Sequence, residues 1–351
     1  MTKIIAGIQQ IGIGVTNLYE ARDWYKKNLG YDVVIFDEAA EAGLMLQYTN
    51  NKVQKRHAIL AYNMKGGGGF EVWQYTSRTP IGPGFDIQLG DTGIFACKIA
   101  SPDVKKAYEE FKNSGVNIIS ELKDSPTGKP HFFIKDPYGN VFEIEHGDDW
   151  LQNQDKLTGG NSGATIGVTN MEDSIKFYSQ ILGYDDVVYD EEGTFEDLSG
   201  IAGANEKYRR VLLKHSKKRT GAFSPLFRNS SIELIEAKER SVRKIYENRL
   251  WGDLGFIHLC FDIIGMNDLK EECQKAGFPF TVDSANSFDM GEAAGHFSYI
   301  EDPDGTLIEF VETHKVPIIK KIGWYLNLEK RGQEKPLSKF FFKILGASRK
   351  I

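Results

Sequence analysis

The chain has 351 residues, of which 41% are hydrophobic and 26% charged, and its formal net charge is −6 at pH 7. The length predicts more than one globular domain, and the acidic charge gives no reason to expect nucleic acid as a partner. Its three cysteines cannot form a disulfide framework. Because no signal peptide or membrane-spanning segment is evident, we expect a cytoplasmic protein.

Short segments of the first half recur in the same order in the second half. They are Ile-Gly-Val-Thr-Asn at 13–17 and 166–170, a tyrosine at 25 and 178, Leu-Gly-Tyr-Asp at 29–32 and 182–185, and Asp-Pro-x-Gly-x-x-x-Glu at 136–143 and 302–309. A repeat of this length indicates that one structural unit is used more than once.

Each quarter of the chain predicts the same succession of elements. An apolar run predicts a strand, and a helical spacing of apolar residues follows, with Asn17 as a predicted N-cap and Gly30 and Gly183 just past the helix ends. Strand-like runs complete each quarter, the last two forming a hairpin across Asp136–Gly139 or Asp302–Gly305 in the second and fourth quarters. The unit is therefore βαβββ, present four times.

We predict an α+β fold with two tandem domains, each made of two paired βαβββ units that form a half-open barrel around a cavity. The predicted domains are residues 1–150 and 160–314, and residues 5–148 should superimpose on residues 161–313. A basic tail, 315–351, follows them. It predicts a helix docked on the acidic body, and contact with a membrane surface is the alternative.

The βαβββ unit, the aromatic pair followed by Leu-Gly, and the Asp-Pro-x-Gly-x-x-x-Glu hairpin resemble the vicinal oxygen chelate superfamily over roughly residues 5–312. That superfamily includes glyoxalase I, methylmalonyl-CoA epimerase, extradiol dioxygenases and bleomycin-resistance proteins. The resemblance implies a divalent metal between two paired units, with ligands from the first and last strands. A glyoxalase-like site has His, Glu, His and Glu in chain order, whereas an extradiol dioxygenase-like site has His, His and Glu.

The two halves differ at the positions that this resemblance assigns to ligands. The positions are Gln10, Glu71, Ile94 and Glu143 in the first half, and Gly163, Glu233, His258 and Glu309 in the second. Isoleucine cannot bind a metal and glutamine is a poor ligand, so the resemblance implies a metal-free first domain. It implies a metal held by His258, Glu233 and Glu309 in the second, although His258 could instead be a hydrogen-bonded core histidine.

The hairpin count suggests which neighbours face this site. If Asp302–Gly305 is a four-residue turn, Ser298 pairs with Glu309 and shares its face, and His296 lies on that face as well. Both are candidates for lining the cavity. The same count in the first half pairs Phe132 with Glu143 and points His131 away.

The resulting hypothesis is a metal-dependent isomerase, epimerase or lyase acting on a small oxygen-chelating substrate. One imidazole and two carboxylates suit Zn, Fe, Mn, Ni or Co, and Glu309 or Glu233 would serve as a ligand or as the catalytic base. An extradiol-type dioxygenase needs a second histidine, which only His296 could supply. A non-catalytic ligand-binding protein, resembling the bleomycin-resistance branch, is the alternative from another class.

Overall fold

The computed structural model describes residues 3–285, 288–290, 293–319 and 324–348. The first unit comprises β1 (Ile4–Gly14), α1 (Leu18–Leu29), β2 (Val33–Glu41), β3 (Lys55–Tyr62) and β4 (Gly69–Tyr75). The second comprises β5 (Gly93–Ser101), α2 (Val104–Ser114), β6 (Asn117–Ile118), β7 (Lys123–Asp124), β8 (Pro130–Lys135) and β9 (Val141–His146).

The third and fourth units repeat this order. The third comprises β10 (Asn161–Val168), α3 (Met171–Gln180), β11 (Asp186–Gly193), β12 (Tyr208–Lys214), α4 (Ser224–Phe227) and β13 (Ser231–Ala237). The fourth comprises β14 (Gly255–Ile264), α5 (Met266–Lys275), β15 (Val282–Asp283), β16 (Phe288–Met290), β17 (Ala293–Glu301) and β18 (Leu307–Thr313). The predicted α+β class and the fourfold βαβββ unit are confirmed.

The units pair into two curved sheets, but not in the predicted combination. The first sheet has the order β15-β17-β18-β14-β1-β4-β3-β2, and the second has the order β11-β12-β13-β10-β5-β9-β8-β6. The first sheet therefore joins the first and fourth units through β1 and β14, and the second joins the second and third units through β5 and β10. The prediction that each half of the chain encloses its own cavity is wrong. The first strand of every unit is an edge that another unit can complete, so local sequence does not specify its partner.

Strand pleating gives each sheet two chemically different faces. On the first sheet, Ile11, Phe70, Leu259 and Ile308 belong to one large apolar core with residues from all four units. The neighbouring positions in the same strands point to the opposite face, because side chains alternate along a strand. We call this opposite face the site face, and on both sheets it carries buried charged residues.

The repeated sequence motifs are explained by contacts between units. Tyr25 of α1 donates a hydrogen bond to Asp136 over 2.6 Å, and Tyr178 of α3 donates one to Asp302 over 2.9 Å. Each aspartate begins the loop that joins the last two strands of the following unit. The tyrosine and the Asp-Pro-x-Gly segment therefore recur together because they bind each other.

The predicted helix ends are also present. The Asn17 side chain accepts a hydrogen bond from the backbone N–H of Glu20, which is the N-cap arrangement. Gly30 follows α1 with a φ of 71°, a left-handed conformation that favours glycine.

The tail adds β19 (Lys315–Ile319), β20 (Trp324–Asn327) and α6 (Lys339–Ser348). Leu337 and Phe342 are buried against residues of the body that include Phe223 and Leu226. The tail residues 320–323 and 349–351, with four of its basic side chains (Lys320, Lys321, Arg349 and Lys350), lie outside the described residues. None of the described helices is both long enough and apolar enough to cross a membrane.

Candidate metal centre

Three potential metal ligands converge on the site face of the first sheet. Glu71 on β4, His258 on β14 and Glu309 on β18 each offer one ligand atom, and these atoms all lie within 4.8 Å of one another. The strand β1 lies between β4 and β14 and adds Gln10 to the same face. The site is therefore assembled from the first and fourth units, which are far apart in the sequence.

The side chains are in mutual contact. The Nε2 atom of His258 lies 3.0 Å from Oε2 of Glu309 and 3.5 Å from Oε2 of Glu71. The Gln10 amide donates to Glu71 over 2.9 Å. Because a carboxylate only accepts hydrogen bonds, this contact orients the amide so that its oxygen stays free. Two carboxylates with one imidazole and one amide oxygen form a mixed nitrogen and oxygen donor set.

Glycine at position 12 is required by the approach of the imidazole. Gly12 pairs with His258 across the first sheet and with Glu71 on its other side. A Cβ atom at Gly12 would lie 2.5 Å from Cε1 of His258, well inside van der Waals contact. A side chain at this position would therefore displace the imidazole from the carboxylates.

The hydrogen bonding of these residues fits a bound cation. The buried atom Oε1 of Gln10 has no hydrogen-bond partner among the described residues, and Nε2 of His258 and Oε2 of Glu309 face each other in an ion-pair contact at 3.0 Å. Buried polar atoms in native proteins are normally satisfied, so the free amide oxygen of Gln10 beside two carboxylates and an imidazole points to a bound ion or water. All three are atoms that can donate a lone pair to a metal, provided that the histidine is neutral.

The surroundings orient the imidazole and set its charge in the metal-free chain. The hydroxyl of Tyr299 lies 3.3 Å from Nδ1 of His258, on the side of the ring away from the carboxylates. Burial lowers the pKa of His258, but the Glu309 and Glu71 carboxylates outweigh burial and raise it to about 9. Burial raises the pKa of Glu309, but the charge and hydrogen bond of His258 outweigh burial, so the pKa of Glu309 lies below its usual value. Glu309 is therefore ionised at neutral pH.

Aromatic side chains cover this site face. Trp251, from the segment before β14, packs against Trp73 with ring centroids 4.5 Å apart and against Tyr299 at 6.4 Å. These three rings belong to one apolar cluster on the first sheet. Glu71, His258 and Glu309 on the same face are buried, and burial strengthens the electrostatic interactions among them.

The structure brings His258 and Glu309 together as predicted, but it places Glu233 elsewhere. Glu233 lies on β13 of the second sheet, and its contacts are with Lys98, Arg210 and Tyr189. The candidate that joins His258 and Glu309 is Glu71, from the first half of the chain. The prediction fails at this residue because it assumes pairing of the third unit with the fourth.

The hairpin register corrects the other candidates. The loop between β17 and β18 has five residues, and Tyr299, rather than Ser298, pairs with Glu309. Since a slip of one residue reverses every side chain, Ser298 and His296 point away from the site face. Ser298 contacts Met266 of α5, and His296 lies 2.5 Å from Asp283.

The same correction brings His131 into the site face of the second sheet. The loop between β8 and β9 also has five residues, so Phe133 rather than Phe132 pairs with Glu143. His131 therefore faces the same side as Glu143, and its Nδ1 atom lies 2.7 Å from that carboxylate. The prediction that His131 points away is wrong.

A buried ionic network fills the position in the second sheet that corresponds to the candidate metal centre. The ammonium of Lys98 contacts Glu143 directly and lies 2.8 Å from Glu233. Burial lowers the pKa of Lys98, but these carboxylates raise it well above its usual value. The strand register places Lys98 beside Glu143 as it places Cys260 beside Glu309. By that register Ala96, and not Ile94, corresponds to His258.

The remaining members complete the charge balance of this network. Arg210 lies 2.6 Å from Glu233 and 2.8 Å from Asp197, and Nε2 of His131 lies 3.3 Å from Asp197. Burial lowers the pKa of His131, and hydrogen bonds to Asp197 and Glu143 raise it to about 9. Three cations therefore face three principal carboxylates at neutral pH, and the carboxylates need no metal for compensation.

Comparison with known proteins agrees with this architecture. A family model described as "Glyoxalase/Bleomycin resistance protein/Dioxygenase superfamily" matches residues 7–144 and 163–310. The chain belongs to this superfamily. The two matched segments are the two halves of the chain, so each match covers one unit of the first sheet and one unit of the second.

Solved structures of the superfamily share the fold at low sequence identity. Glyoxalase I from Zea mays is 15% identical with a TM-score of 0.53, the match covering 89% of this chain and 92% of that chain. A putative dioxygenase from Bacillus subtilis is 13% identical with a TM-score of 0.54, covering 89% of this chain and 86% of that chain. No curated protein matches the sequence. At these identities the likeness concerns the fold alone.

Sequence reasoning misses two residues of the candidate centre. It treats Gln10 as too poor a ligand and assigns Glu71 to a domain without a metal. Both belong to the unit that pairs with His258 and Glu309 in this member of the superfamily. The available signal is the complementarity of the halves at the four assigned ligand positions. The first half has Gln10 and Glu71 there but no histidine, and the second has His258 and Glu309 there but Gly163 at the first position.

Proposed function

We propose that the chain is a metal-dependent enzyme that moves a proton on a small substrate with two neighbouring oxygen atoms. Glu71, His258 and Glu309 would hold one divalent metal, with the Gln10 amide oxygen as a fourth ligand. The observation that carries the proposal is the convergence of three buried side chains whose ligand atoms lie within 4.8 Å of one another on the site face, beside an amide oxygen of Gln10 that has no hydrogen-bond partner among the described residues. The proposal extends the predicted isomerase, epimerase or lyase to a site built from both halves.

The donor set suits a borderline transition metal. One imidazole nitrogen with carboxylate and amide oxygens is compatible with Zn, Mn, Fe, Co or Ni and does not select among them. Bound in this site, such a metal would polarise the substrate oxygens and stabilise negative charge that develops on them. We propose no metal in the second sheet, where Lys98 already neutralises Glu143 and Glu233.

The side chains around the proposed metal position would have separate roles. Gln10 holds Glu71 in place through its amide N–H. Glu309 is ionised at neutral pH, so it would be the base that removes a proton from a substrate carbon if it leaves the metal when substrate binds. Tyr299 orients His258 through Nδ1, as residues around metal-bound histidines commonly do.

The composition of the cluster favours proton transfer over ring cleavage. A non-haem iron dioxygenase site uses two histidines and one carboxylate. The described cluster has one histidine and two glutamates. His296, the residue that could have supplied a second imidazole, is paired with Asp283 on the other face of the sheet.

A non-catalytic binding protein is the second candidate, and the aromatic cover favours it. Glu71, His258 and Glu309 have exposed fractions of only 6%, 0% and 7%, and Trp251 packs against Trp73 and Tyr299 on the same face of the sheet. A catalytic site must admit substrate, so catalysis requires movement of this cover. Protein that binds the metal but exchanges no substrate proton would favour the binding candidate.

The decisive measurement is elemental analysis of protein purified without added metal and then reconstituted with each candidate metal. We expect one metal per chain in the wild type and at least a tenfold weaker affinity in His258→Ala, Glu309→Gln and Glu71→Gln. His296→Gln removes a buried histidine from the opposite face and serves as the matched control with full metal content. Glu233→Gln should also keep its metal, because Glu233 belongs to the second sheet.

Catalysis is tested separately by deuterium exchange into a panel of 2-oxo and 2-hydroxy carbonyl compounds, followed by NMR. We expect exchange only in the metal-loaded wild type, and loss of exchange in Glu309→Gln at saturating metal. A wild type that takes up none of the five metals would contradict the proposed centre.

A further inference from the structure

A polar cavity lies away from the candidate metal centre. It has a volume of about 950 Å³ and is bordered by the loop after β9, the ends of β12 and β13, and α4. Its lining includes none of Gln10, Glu71, His258 and Glu309. The tail forms part of its wall through Glu334, Pro336 and Lys339.

Polar atoms without partners concentrate around this cavity. Nε and Nη1 of Arg228, Nε of Arg219, Oγ of Ser162 and Nε2 of His215 are buried and have no hydrogen-bond partner among the described residues. All four residues line the cavity. The nitrogens of Arg228 and Arg219 and the hydroxyl of Ser162 can each donate a hydrogen bond, which is the complement of an oxygen-bearing anion. Nδ1 of His215 donates to the Lys217 carbonyl, so Nε2 of this neutral ring is an acceptor and does not add to the donors.

Arg228 is the central residue of this group. Its exposed fraction is 8%, and its guanidinium stacks on the Trp150 ring with Cζ 5.0 Å from the ring centroid. It ends α4 with a φ of 41°, a conformation unusual for a residue other than glycine. A buried guanidinium is costly without a partner, so its free N–H groups require a ligand or water in the cavity.

The charges of the lining favour a singly charged ligand. Six lysine and arginine residues and five aspartate and glutamate residues border the cavity, so its overall charge is small. Burial lowers the pKa of Arg228, and the carboxylates of Asp149, Glu145 and Asp148 partly oppose that shift. These acids would repel a phosphate dianion more strongly than a carboxylate, and the planar guanidinium binds a carboxylate through two parallel hydrogen bonds.

We propose that this cavity binds a small carboxylate-bearing molecule, with the carboxylate on the free N–H groups of Arg228 and with Ser162 and Trp150 beside it. The site is separate from the proposed metal centre and does not depend on it. It unites the loop after β9, α4 and the tail, which come from three distant parts of the chain.

The test measures binding of acetate to the full-length protein by saturation-transfer NMR and thermal shift, with phosphate and chloride at matched ionic strength. We expect saturable binding of acetate, at least tenfold tighter than that of phosphate or chloride. Arg228→Gln should abolish it, and Arg228→Lys should weaken it about tenfold because the planar fork is lost. The two unpartnered guanidinium nitrogens make no hydrogen bond to the described residues, so both variants should stay folded.

Two controls distinguish acetate bound at Arg228 from acetate bound elsewhere on the protein. Arg22→Gln changes a partly exposed arginine on α1, outside the cavity, and should leave acetate binding unchanged. Acetate can also coordinate a metal, so His258→Ala is measured as well and should retain the full acetate signal. Acetate binding that persists in Arg228→Gln, an absence of saturable binding, or tighter binding of phosphate would each overturn the proposal.

Discussion

At the scale of single residues, Lys98 shows how one position changes the chemistry of a duplicated sheet. Its ammonium lies between Glu143 and Glu233, and both its own side chain and those carboxylates are 3% exposed. A single buried cation compensates the carboxylates, and Arg210 and His131 complete the network. The first sheet has no lysine in this position, and its carboxylates face His258 instead.

Replacing Lys98 with methionine should leave two buried carboxylates without their shared cation. Removing one partner of a buried ion pair costs about 3–5 kcal/mol, and we expect a loss of this size in the free energy of unfolding at pH 7. Lys55→Met is the matched control, because its pair with Glu41 is more than half exposed and should contribute about 0–1 kcal/mol. Urea unfolding measures both, and equal losses in the two variants would contradict the buried network.

The pKa of His131 predicts a pH dependence of stability. Its folded-state pKa of about 9 lies above the ordinary value of 6.5, so proton binding favours the folded state. The proton on His131 stabilises the folded state by roughly 1.4 kcal/mol per unit of pKa difference between the folded and unfolded chain. This stabilisation is fully present below about pH 6.5 and is lost as the pH rises through 9. The difference in unfolding free energy between wild type and His131→Asn should therefore shrink from pH 6 to pH 9.5. A difference that is constant over this range would show that His131 is neutral when folded.

At the scale of single elements, the two five-residue hairpin loops decide which side chains face the sites. In both, an aspartate backbone N–H bonds to the carbonyl of the residue four positions later, Asn140 or Thr306. The fifth residue shifts the pairing by one position and turns Tyr299 and His131 toward the site faces. The motif Asp-Pro-x-Gly predicts a turn, but its spacing does not distinguish a four-residue from a five-residue loop.

The helix α6 offers a matched pair of phenylalanines for testing how the tail is held. Phe342 is 0% exposed and packs near Phe223, whereas Phe340 is 70% exposed on the same helix. We expect Phe342→Ala to cost about 3–5 kcal/mol, as large core truncations do, and Phe340→Ala to cost less than about 0.5 kcal/mol. Thermal and urea unfolding provide the comparison.

The membrane alternative for the tail is tested on the same two variants. If α6 binds a membrane surface, Phe340→Ala should weaken sedimentation with anionic vesicles and Phe342→Ala should not. If α6 only docks on the body, neither substitution should alter vesicle binding. Similar unfolding free energies for the two variants would contradict the docked position.

At the scale of the whole molecule, each sheet takes one unit from each half of the chain. The β1–β14 pairing extends over most of both strands, from Ile4 with Ile264 to Gly14 with Gly255. Cutting the chain between the halves would expose the edges of β1 and β5 on one fragment and of β10 and β14 on the other. Exposed edges of this kind promote association with other strands.

We therefore expect residues 1–158 and 159–351 to be unstable or associated when produced separately. Produced together, they should form a one-to-one complex that recovers the metal content of the intact chain, because Glu71 and His258 are on different fragments. Size-exclusion chromatography with light scattering and elemental analysis measure both properties. Two fragments that are each monomeric and stable would contradict pairing across the halves.

The sequence by itself determined the repeating unit and its local details. The βαβββ succession follows from the periodicity of apolar residues, and the helix ends at Asn17 and Gly30 follow from capping chemistry. His258 and Glu309 could be selected as candidate site residues because the resemblance to the superfamily assigns metal ligands to their positions in the unit. These features depend on residues that are close together in the chain.

Only the tertiary structure decided which units pair and which residues therefore meet. Glu71 replaced Glu233 as the partner of His258 because β1, rather than β10, lies beside β14. Four similar units have similar edges, and the free-energy differences among their pairings arise from packing and charge over the whole sheet. The buried network around Lys98 and the free guanidinium of Arg228 likewise depend on contacts between distant segments, which no local pattern in the sequence records.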